Sequence, residues 1–113
     1  MRTLAKPLIF VVMALAFLAC NEKTTTINTL LSDPGKYDGQ TVRIAGEVQS
    51  SIGALGFGAY EVNDKTGTLP VVTEGGGAPA RGARVGVEGT FRAAYTLGTE
   101  SRAVIVEKRR VTG

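Results

Sequence analysis

Apolar and polar residues alternate along several segments of this chain, with the two-residue period of a half-buried β-strand. In the segment 41–50 the apolar residues fall on one side of the extended chain, while the charged and polar ones fall on the other. The inward row consists of Val42, Ile44 and Val48, and the outward row includes Arg43, Glu47 and Gln49. The alternation therefore predicts a first strand with one face in a core.

Four more segments are predicted to be strands, separated by stretches rich in glycine, proline and polar residues. They are 57–63 with Tyr60 and Val62 inward, 68–73 with Leu69 and Val71 inward, 84–95 with Val85, Val87 and Phe91 inward, and 102–111. The last one has no distinguishable faces, because its AVIV run does not alternate. We also predict loops at 51–56, 74–81 and 96–101, and a turn at 64–67 in which Gly67 supplies a positive φ.

Two glycines interrupt the inward rows of predicted strands, Gly46 in the first strand and Gly89 in the fourth. A glycine inside a strand marks a bulge or a sharp bend, which a closed barrel needs at its corners. Five strands that close on themselves leave no open edges. The predicted fold class is therefore all-β, a five-stranded barrel.

A short helix is predicted before the first strand, over residues 27–33. Apolar residues at 27, 30 and 31 have the i, i+3, i+4 spacing of a helix. Thr26 can cap its start, and Pro34-Gly35 ends it. Because one or two helical turns are not stable alone, this segment must dock against the barrel.

The first 19 residues have the composition of a targeting segment. Arg2 and Lys6 precede an uncharged apolar stretch, 8–19, which is too short to span a bilayer and has the length of a signal-peptide core. The stretch ends with Phe17, Leu18 and Ala19, and Cys20 follows directly. These four residues resemble the lipobox of bacterial lipoproteins. The alternative is an ordinary signal peptide that happens to end near a cysteine.

The lipobox resemblance implies that a signal peptidase recognises Phe17, Leu18 and Ala19, and that Cys20 is acylated. Two or three acyl chains anchor a protein stably, whereas one binds a membrane marginally. We divide the chain into a signal peptide (1–19), a lipidated cysteine with a polar tether (20–26) and a folded domain (27–113). The expected location is the cell envelope. In a diderm bacterium we expect the periplasmic side of the outer membrane. An aspartate directly after the lipidated cysteine would resemble an inner-membrane retention signal, and Asn21 lacks its carboxylate.

Charge and composition narrow the functions open to the domain. Of the 13 Lys and Arg residues, two precede Cys20, so the remainder exceed the 10 Asp and Glu residues by one. A nearly neutral domain is poorly suited to the phosphate charge of nucleic acids. The chain has no histidine and one cysteine, which removes the commonest general base, the commonest metal ligand and any internal disulfide. We predict no enzymatic activity, no metal and no cofactor.

The predicted strands also resemble a known fold family, the bacterial OB-fold domains of the tRNA-anticodon-binding-like type. The similar stretches are YDGQTVRIAGEV, AYEVNDKTGTLPVV and GARVGVEGTF, and the most specific part is Asp64-x-Thr66-Gly67-x-Leu69-x-Val71. The resemblance covers residues 27–108 and implies an OB-fold barrel that acts as a binding module. It departs from the family between the third and fourth strands, where EGGGAPAR stands in place of the usual helix.

The leading functional hypothesis is an envelope lipoprotein whose OB fold binds a protein, peptide or glycan partner around the second and third strands. Phe57 and Tyr95 lie near the loops that flank an OB binding face and would supply contact area. Arg43 and Arg92 would supply directional hydrogen bonds. Tyr37 is expected to pack where the helix meets the first strand.

The alternative hypothesis is a single-stranded nucleic-acid-binding protein, since OB folds stack bases on exposed aromatic side chains inside a positive groove. The alternation places charges of both signs outward, which argues against nucleic acid as a partner. They are Arg43, Arg84 and Arg92 against Glu47, Glu61 and Glu88. Near the end, Lys108-Arg109-Arg110 forms a basic cluster. This cluster has two readings, a contact with phospholipid headgroups or lipopolysaccharide phosphates, or a solvated strand end.

Overall fold

The computed structural model describes residues 23–54, 57–74 and 77–113, and for residues 52–54 and 57 it describes the backbone alone. Within these ranges two short helices precede five strands. They are α1 (Ile27–Ser32), α2 (Pro34–Tyr37), β1 (Thr41–Ala54), β2 (Phe57–Asn63), β3 (Thr68–Glu74), β4 (Arg84–Leu97) and β5 (Glu100–Thr112). The predicted all-β class with a short N-terminal helix is confirmed.

The five strands form one sheet that closes into a ring in the order β1-β2-β3-β5-β4. Neighbouring strands are antiparallel, except that β3 and β5 are parallel and meet in two residue pairs, Val71 with Ile105 and Val72 with Val106. The long strand β1 closes the ring because its first half pairs with β4 and its second half with β2. A register shift at Val48–Ser50 bends the strand where it changes partner.

The interior of the ring is filled by the side chains that the alternation assigned to the inner face. The two largest, Tyr60 and Phe91, are 1% and 0% exposed. They pack with the predicted inward residues Val42, Ile44, Val48, Val62, Leu69, Val71, Val85 and Val87, and with Ile105 of β5. Tyr37 packs against the edge of this core, where α2 meets β1.

Both hairpins that end in predicted loops are longer than expected. Residues 51–54 continue β1, which pairs with β2 as far as Ala54 opposite Phe57. In the same way β4 and β5 stay paired as far as Leu97 opposite Glu100. The loop predictions are wrong for 51–54 and are right at 96–101 only for the tight turn at 98–99, while residues 55–56 lie outside the described part of the chain. Cross-strand pairing keeps these glycine- and serine-containing segments extended.

The turn between β2 and β3 differs from the prediction in its backbone. The positive φ falls on Lys65, at 75°, and not on Gly67. Gly67 instead allows a close approach of α1, since a Cβ there would lie 3.1 Å from Cγ2 of Ile27. The conformation of the β2–β3 turn therefore fits the packing of α1 against it.

Gly46 and Gly89 are required because another strand passes close to each of them. A Cβ on Gly46 would lie 2.3 Å from the carbonyl oxygen of Asn63, and one on Gly89 would lie 2.2 Å from that of Val106. A register shift lies beside Gly89, between Glu88 and Gly89, as the prediction of a bulge implied. Gly46 itself stays in regular register with β4, and the bulge in β1 comes later.

Helix α1 closes the end of the ring at the β2–β3 turn. Ile27 and Leu30 are fully buried in the core, and Thr26 caps the helix as predicted, its hydroxyl accepting from the Thr29 amide at 3.3 Å. The Ile27 amide donates to Oδ2 of Asp64 at 2.8 Å. The first turn of the helix is thus hydrogen-bonded to the hairpin on which it packs.

Asp64 holds both the β2–β3 turn and α1. Its Oδ1 accepts from the Thr66 and Gly67 amides at 2.9 and 3.2 Å. Desolvation raises the pKa of the Asp64 carboxyl, but the hydrogen bonds from Thr66, Ile27 and Gly67 outweigh it and lower the pKa below its ordinary value. The ionised carboxylate is the form that the fold favours.

We expect Asp64→Asn to lower the free energy of unfolding at neutral pH by about 1 kcal/mol, because an amide is a weaker acceptor than a carboxylate. A lowered folded-state pKa contributes stability above the unfolded pKa, and this contribution is lost as the pH falls through the folded value. The gap between the variant and the parent should therefore close below about pH 4. Urea unfolding across the pH range measures it.

Asp33→Asn is the matched control, because Asp33 is exposed and its side chain makes no cap hydrogen bond. A gap between Asp64→Asn and the parent that does not change with pH would contradict the assigned role of the charge.

The opposite end of the ring is closed by the segment 77–83, which stands where the OB family has a helix and has no helix in the part described. Ala78 and Ala83 pack against the core, and Ala78 lies against Gly58 of β2. The resemblance therefore holds for the barrel, while a coil segment replaces the usual helical cap.

A polar cluster sits under this coil. The Tyr60 hydroxyl donates to Oε1 of Glu107, which Arg110 also contacts at 3.2 Å. Arg110 lies over the Tyr60 ring and donates to the carbonyl oxygen of Gly77 at 3.0 Å. Burial, followed by the bond to Glu107, raises the pKa of Tyr60, so its hydroxyl stays protonated. The cluster ties β2, β5 and the coil together.

Candidate functional site

The outer surface of β2, β3 and β5 forms the first candidate binding surface. We define the β3 face as the outward residues Ala59, Glu61, Pro70, Val72, Arg102 and Val104. Pro70, Val72 and Val104 are buried although they point away from the ring interior. The layer above β3 is therefore apolar next to the strands.

An ion pair crosses this apolar layer. Arg102 of β5 contacts Oε2 of Glu61 at 3.5 Å, and because β3 lies between their strands, the pair spans β3. Ser50 of β1 donates to Oε1 of the same carboxylate at 2.9 Å. Glu61 is directly opposite Pro70 in the β2–β3 ladder. The β3 face thus has an apolar base under a charged row of both signs.

The two long hairpins border the β3 face at opposite ends. Phe57 lies opposite Glu74, at the end of β3, whereas Tyr95 lies opposite Arg102, near the start of β5. Since β3 and β5 are parallel with Val71 beside Ile105, these positions are about six residues apart along the strands, or roughly 20 Å.

A shallow cleft of about 460 Å³ adjoins the β3 face beside the bend of β1. Its lining residues are Glu47, Val48, Gln49, Ser50, Glu61, Arg81 and Gly82. The charged members are two carboxylates and one guanidinium, so the cleft has an acidic balance.

A second open cleft, of about 400 Å³, lies on the other side of β1. It is lined by Lys23, Thr25, Tyr37, Gln40, Thr41, Val42, Arg43 and Glu88, and we call it the basic groove. The chain enters the domain here, because the Thr25 amide donates to the carbonyl oxygen of Arg43 at 2.7 Å. In the ring order, the β1–β4 side that carries this groove lies across the barrel from β3.

Glu88 lies at the centre of a row of charges on the outer surface of β1, β4 and β5. Arg43, directly opposite in the ladder, contacts it at 3.2 Å, and Arg109 of β5 contacts its other oxygen. The hydrogen bond from Arg109 has the largest effect and lowers the pKa of Glu88; desolvation raises this pKa by less, and the hydrogen bond from Arg43 lowers it further. Two cations thus share one carboxylate.

The basic triplet predicted at the end of the chain is divided between two sides of the sheet. A bulge places one extra residue, Lys108, between the pairs Glu88–Arg109 and Gly89–Glu107. Lys108 and Arg109 therefore both point outward, where Lys108 donates to Oγ1 of Thr41 at 3.1 Å. Arg110 belongs to the polar cluster under the coil.

The structure brings together two of the four residues predicted to bind a partner. Arg92 is exposed and Tyr95 is partly buried, both on the outer part of β4 near its hairpin. Phe57 begins β2 at the far end of the β3 face. Arg43 lies in the basic groove, paired with Glu88.

Several residues of these surfaces were not identified from the sequence. The pairing of Glu61 with Arg102 and of Glu88 with Arg109 joins strands that are distant along the chain. Only the outward position of Glu61 and Glu88 was visible in the alternation. The parallel β3–β5 contact that sets the first pair has no local sequence signal.

The residues of the lipobox prediction, Phe17, Leu18, Ala19 and Cys20, lie outside the described residues. Among the helices that the structure describes, none has the length and apolarity needed to cross a membrane. Across residues 23–54, 57–74 and 77–113 no three potential acidic or cysteine ligands cluster as a metal site would require.

Solved structures with a similar fold include tRNA synthetases and OBodies. Asparaginyl-tRNA synthetase from Pyrococcus horikoshii aligns over 68% of this chain with a TM-score of 0.57 and 22% identity. A putative aspartyl-tRNA synthetase from Leishmania major Friedlin aligns over 80%, with a TM-score of 0.63 and 18% identity. The chain spans about a fifth of either synthetase, 20% and 21% of their lengths.

An OBody bound to hen egg-white lysozyme aligns over 80% of this chain and 95% of its own length, with a TM-score of 0.63 and 18% identity. At these identities the likenesses show the fold, which is an OB fold, and nothing finer. No protein-family model matches the chain, and no curated protein matches it either.

Proposed function

We propose that the protein is a lipid-anchored envelope lipoprotein whose OB fold binds a protein, peptide or glycan partner and catalyses no reaction. The observation that supports this role is the filled ring. Tyr60 and Phe91 occupy its interior, α1 closes one end, and the segment 77–83 closes the other. A partner therefore has to bind on the outside of the strands.

The β3 face is the part of the outer surface that best fits a protein partner. Protein interfaces are enriched in arginine and aromatic residues. Here Pro70 and Val72 are buried beneath the Arg102–Glu61 pair, so a partner would contact this pair together with Arg92 and Tyr95 at the border. The OBody structure supports the proposal, because a fold of this size is there bound to a protein.

Single-stranded nucleic acid is the second candidate, and the likeness to two tRNA synthetases favours it. The charges of the β3 face weigh against it, because Arg102 is paired with Glu61 and the adjoining cleft has an acidic balance. A polyanion would meet repulsion on this surface as well as attraction.

Photo-crosslinking in intact cells tests the proposal. A photoreactive residue at Arg92, on the border of the β3 face, should give a discrete adduct with an envelope component. The same residue at Asp33, exposed between α1 and α2, should give none. Adding Arg102→Glu should reduce the Arg92 adduct at least about tenfold, the effect of a contact worth 1.4 kcal/mol.

Lys65→Glu, on the β2–β3 turn, is the matched charge change and should leave the adduct unchanged. An adduct that nuclease digestion removes would establish the nucleic-acid alternative instead. Equal adducts from Arg92 and Asp33 would reject the β3 face as the binding surface. Intact-mass spectrometry of the purified protein tests the lipid anchor independently, because acylation adds the mass of the lipid to a chain that begins at Cys20.

A further inference from the structure

Five basic side chains lie in or next to the basic groove. Lys23 and Arg43 line it, Lys108 reaches it through Thr41, and Arg109 through Glu88. Lys36 lies over the ring of Tyr37, another lining residue, at 5.4 Å. Among the described lining residues there is one carboxylate, Glu88, and its two oxygens are engaged by Arg43 and Arg109.

Two carboxylates near the start of β1 do not line the groove. Oδ1 of Asp38 accepts from the Ala93 amide at 2.8 Å and does not line the groove. Glu47 is four residues after Arg43 in β1 and lines the acidic cleft. The separation of charge between the two clefts is therefore built into the fold.

The groove also lies where the tether begins. Lys23 lines it and is three residues from Cys20, a distance of at most about 11 Å when fully extended. Any acyl anchor on Cys20 would hold the groove within about a Debye length of the lipid surface, where fixed cations and anionic headgroups attract each other strongly.

We propose that the basic groove docks on anionic phospholipid headgroups, whose phosphates meet Lys23, Lys36, Arg43, Lys108 and Arg109. This inference rests on the lipid anchor of the proposed function and adds an orientation to it. Because the groove and β3 lie on opposite sides of the ring, docking turns the β3 face away from the membrane.

Two features of the groove match this ligand better than a solvated surface would. The bulge at Lys108 puts two consecutive cations on one side of β5, where regular alternation would allow one. Tyr37 contributes an amphipathic ring beside them, the side-chain type that sits at headgroup level in membrane proteins.

The lysines themselves can report the docking. The mature protein is placed in vesicles of phosphatidylcholine alone or of phosphatidylcholine with phosphatidylglycerol, and lysine acetylation rates are followed by mass spectrometry. We expect Lys23, Lys36 and Lys108 to be acetylated about fivefold more slowly in the anionic vesicles than in phosphatidylcholine alone. High salt should reduce this difference in rate. Lys65, exposed on the β2–β3 turn, should react at the same rate in both.

Charge-reversal variants distinguish docking through the basic groove from a general attraction of the protein to anionic vesicles. Arg109→Glu should restore fast acetylation of Lys23 and Lys108 in anionic vesicles, whereas Arg81→Glu, the same charge change outside the groove, should not. Slow acetylation in phosphatidylcholine vesicles on addition of inorganic phosphate would identify a free-phosphate site and overturn the lipid assignment.

The two proposals fail differently in this experiment. An acylated protein whose four lysines react equally in both vesicle types keeps the anchor and rejects the docking. A protein without acyl chains whose groove lysines are still protected by anionic vesicles rejects the anchor and keeps the docking.

Discussion

Gly89→Ala should lower the free energy of unfolding by about 3 kcal/mol, at the upper end of what overpacking a core costs. The added Cβ would lie 2.2 Å from the Val106 carbonyl oxygen and 2.7 Å from Cγ2 of Ile105. The nearest atom is backbone and cannot rotate away, so β4 and β5 have to separate locally. For a domain of this size the melting temperature should fall by roughly 10–20 °C.

Gly86→Ala provides the comparison within the same strand, because a Cβ at Gly86 would meet nothing within 4 Å. It should change stability by no more than about 0.5 kcal/mol. Equal thermal unfolding of the two variants would show that the close approach of β5 to Gly89 is absent in solution.

Leu30→Ala should lower the free energy of unfolding by about 3 kcal/mol, within the range found for large-to-small changes in cores. Leu30 is 0% exposed and is one of two α1 side chains inside the ring. A helix of six residues has no stability of its own, so removing this side chain weakens the docking of the whole element. Chemical denaturation measures the loss.

The next residue supplies the control. Leu31 is 40% exposed on the same helix. Leu31→Ala therefore makes the same change in helix propensity as Leu30→Ala without removing a buried side chain. It should lower the free energy of unfolding by no more than about 0.5 kcal/mol. Similar losses at Leu30 and Leu31 would mean that α1 does not close the ring.

Most of the fold could be predicted where the chain alternates. The second strand has the predicted bounds, 57–63, and its predicted inward residues Tyr60 and Val62 are buried. The N-terminal helix was predictable from its spacing and cap, and it ends at Ser32, one residue earlier than expected. Pro34 then starts a second helical turn, as its fixed φ favours.

The AVIV run of β5 shows where alternation stops being informative. Val104 is buried on the outer side of the strand and Ile105 on the inner side, because β5 is covered on both faces and pairs with both β3 and β4. A strand buried on two sides has no polar row to mark its faces. Its parallel partner is about 30 residues away, beyond the reach of local patterns.

The surfaces were the least predictable part for a related reason. Parity correctly placed Glu61, Glu88 and Arg43 outward, but it carries no information about which strand lies beside which. Arg43 was therefore grouped with Arg92, although the ring puts it in the basic groove, beside Glu88. The division of Lys108 and Arg110 between two sides depends on a bulge that no residue type announces.

The short parallel contact between β3 and β5 indicates where the barrel should open locally. Two residue pairs close the sheet there, while the antiparallel ladders on either side are longer. Local opening should begin at this seam and convert the cylinder into a flat five-stranded sheet with β3 and β5 at its margins. β3 carries leucine and valine, and β5 carries valine and isoleucine. The opened form would therefore be prone to aggregation, and resistance to aggregation depends on how rarely the β3–β5 contact opens.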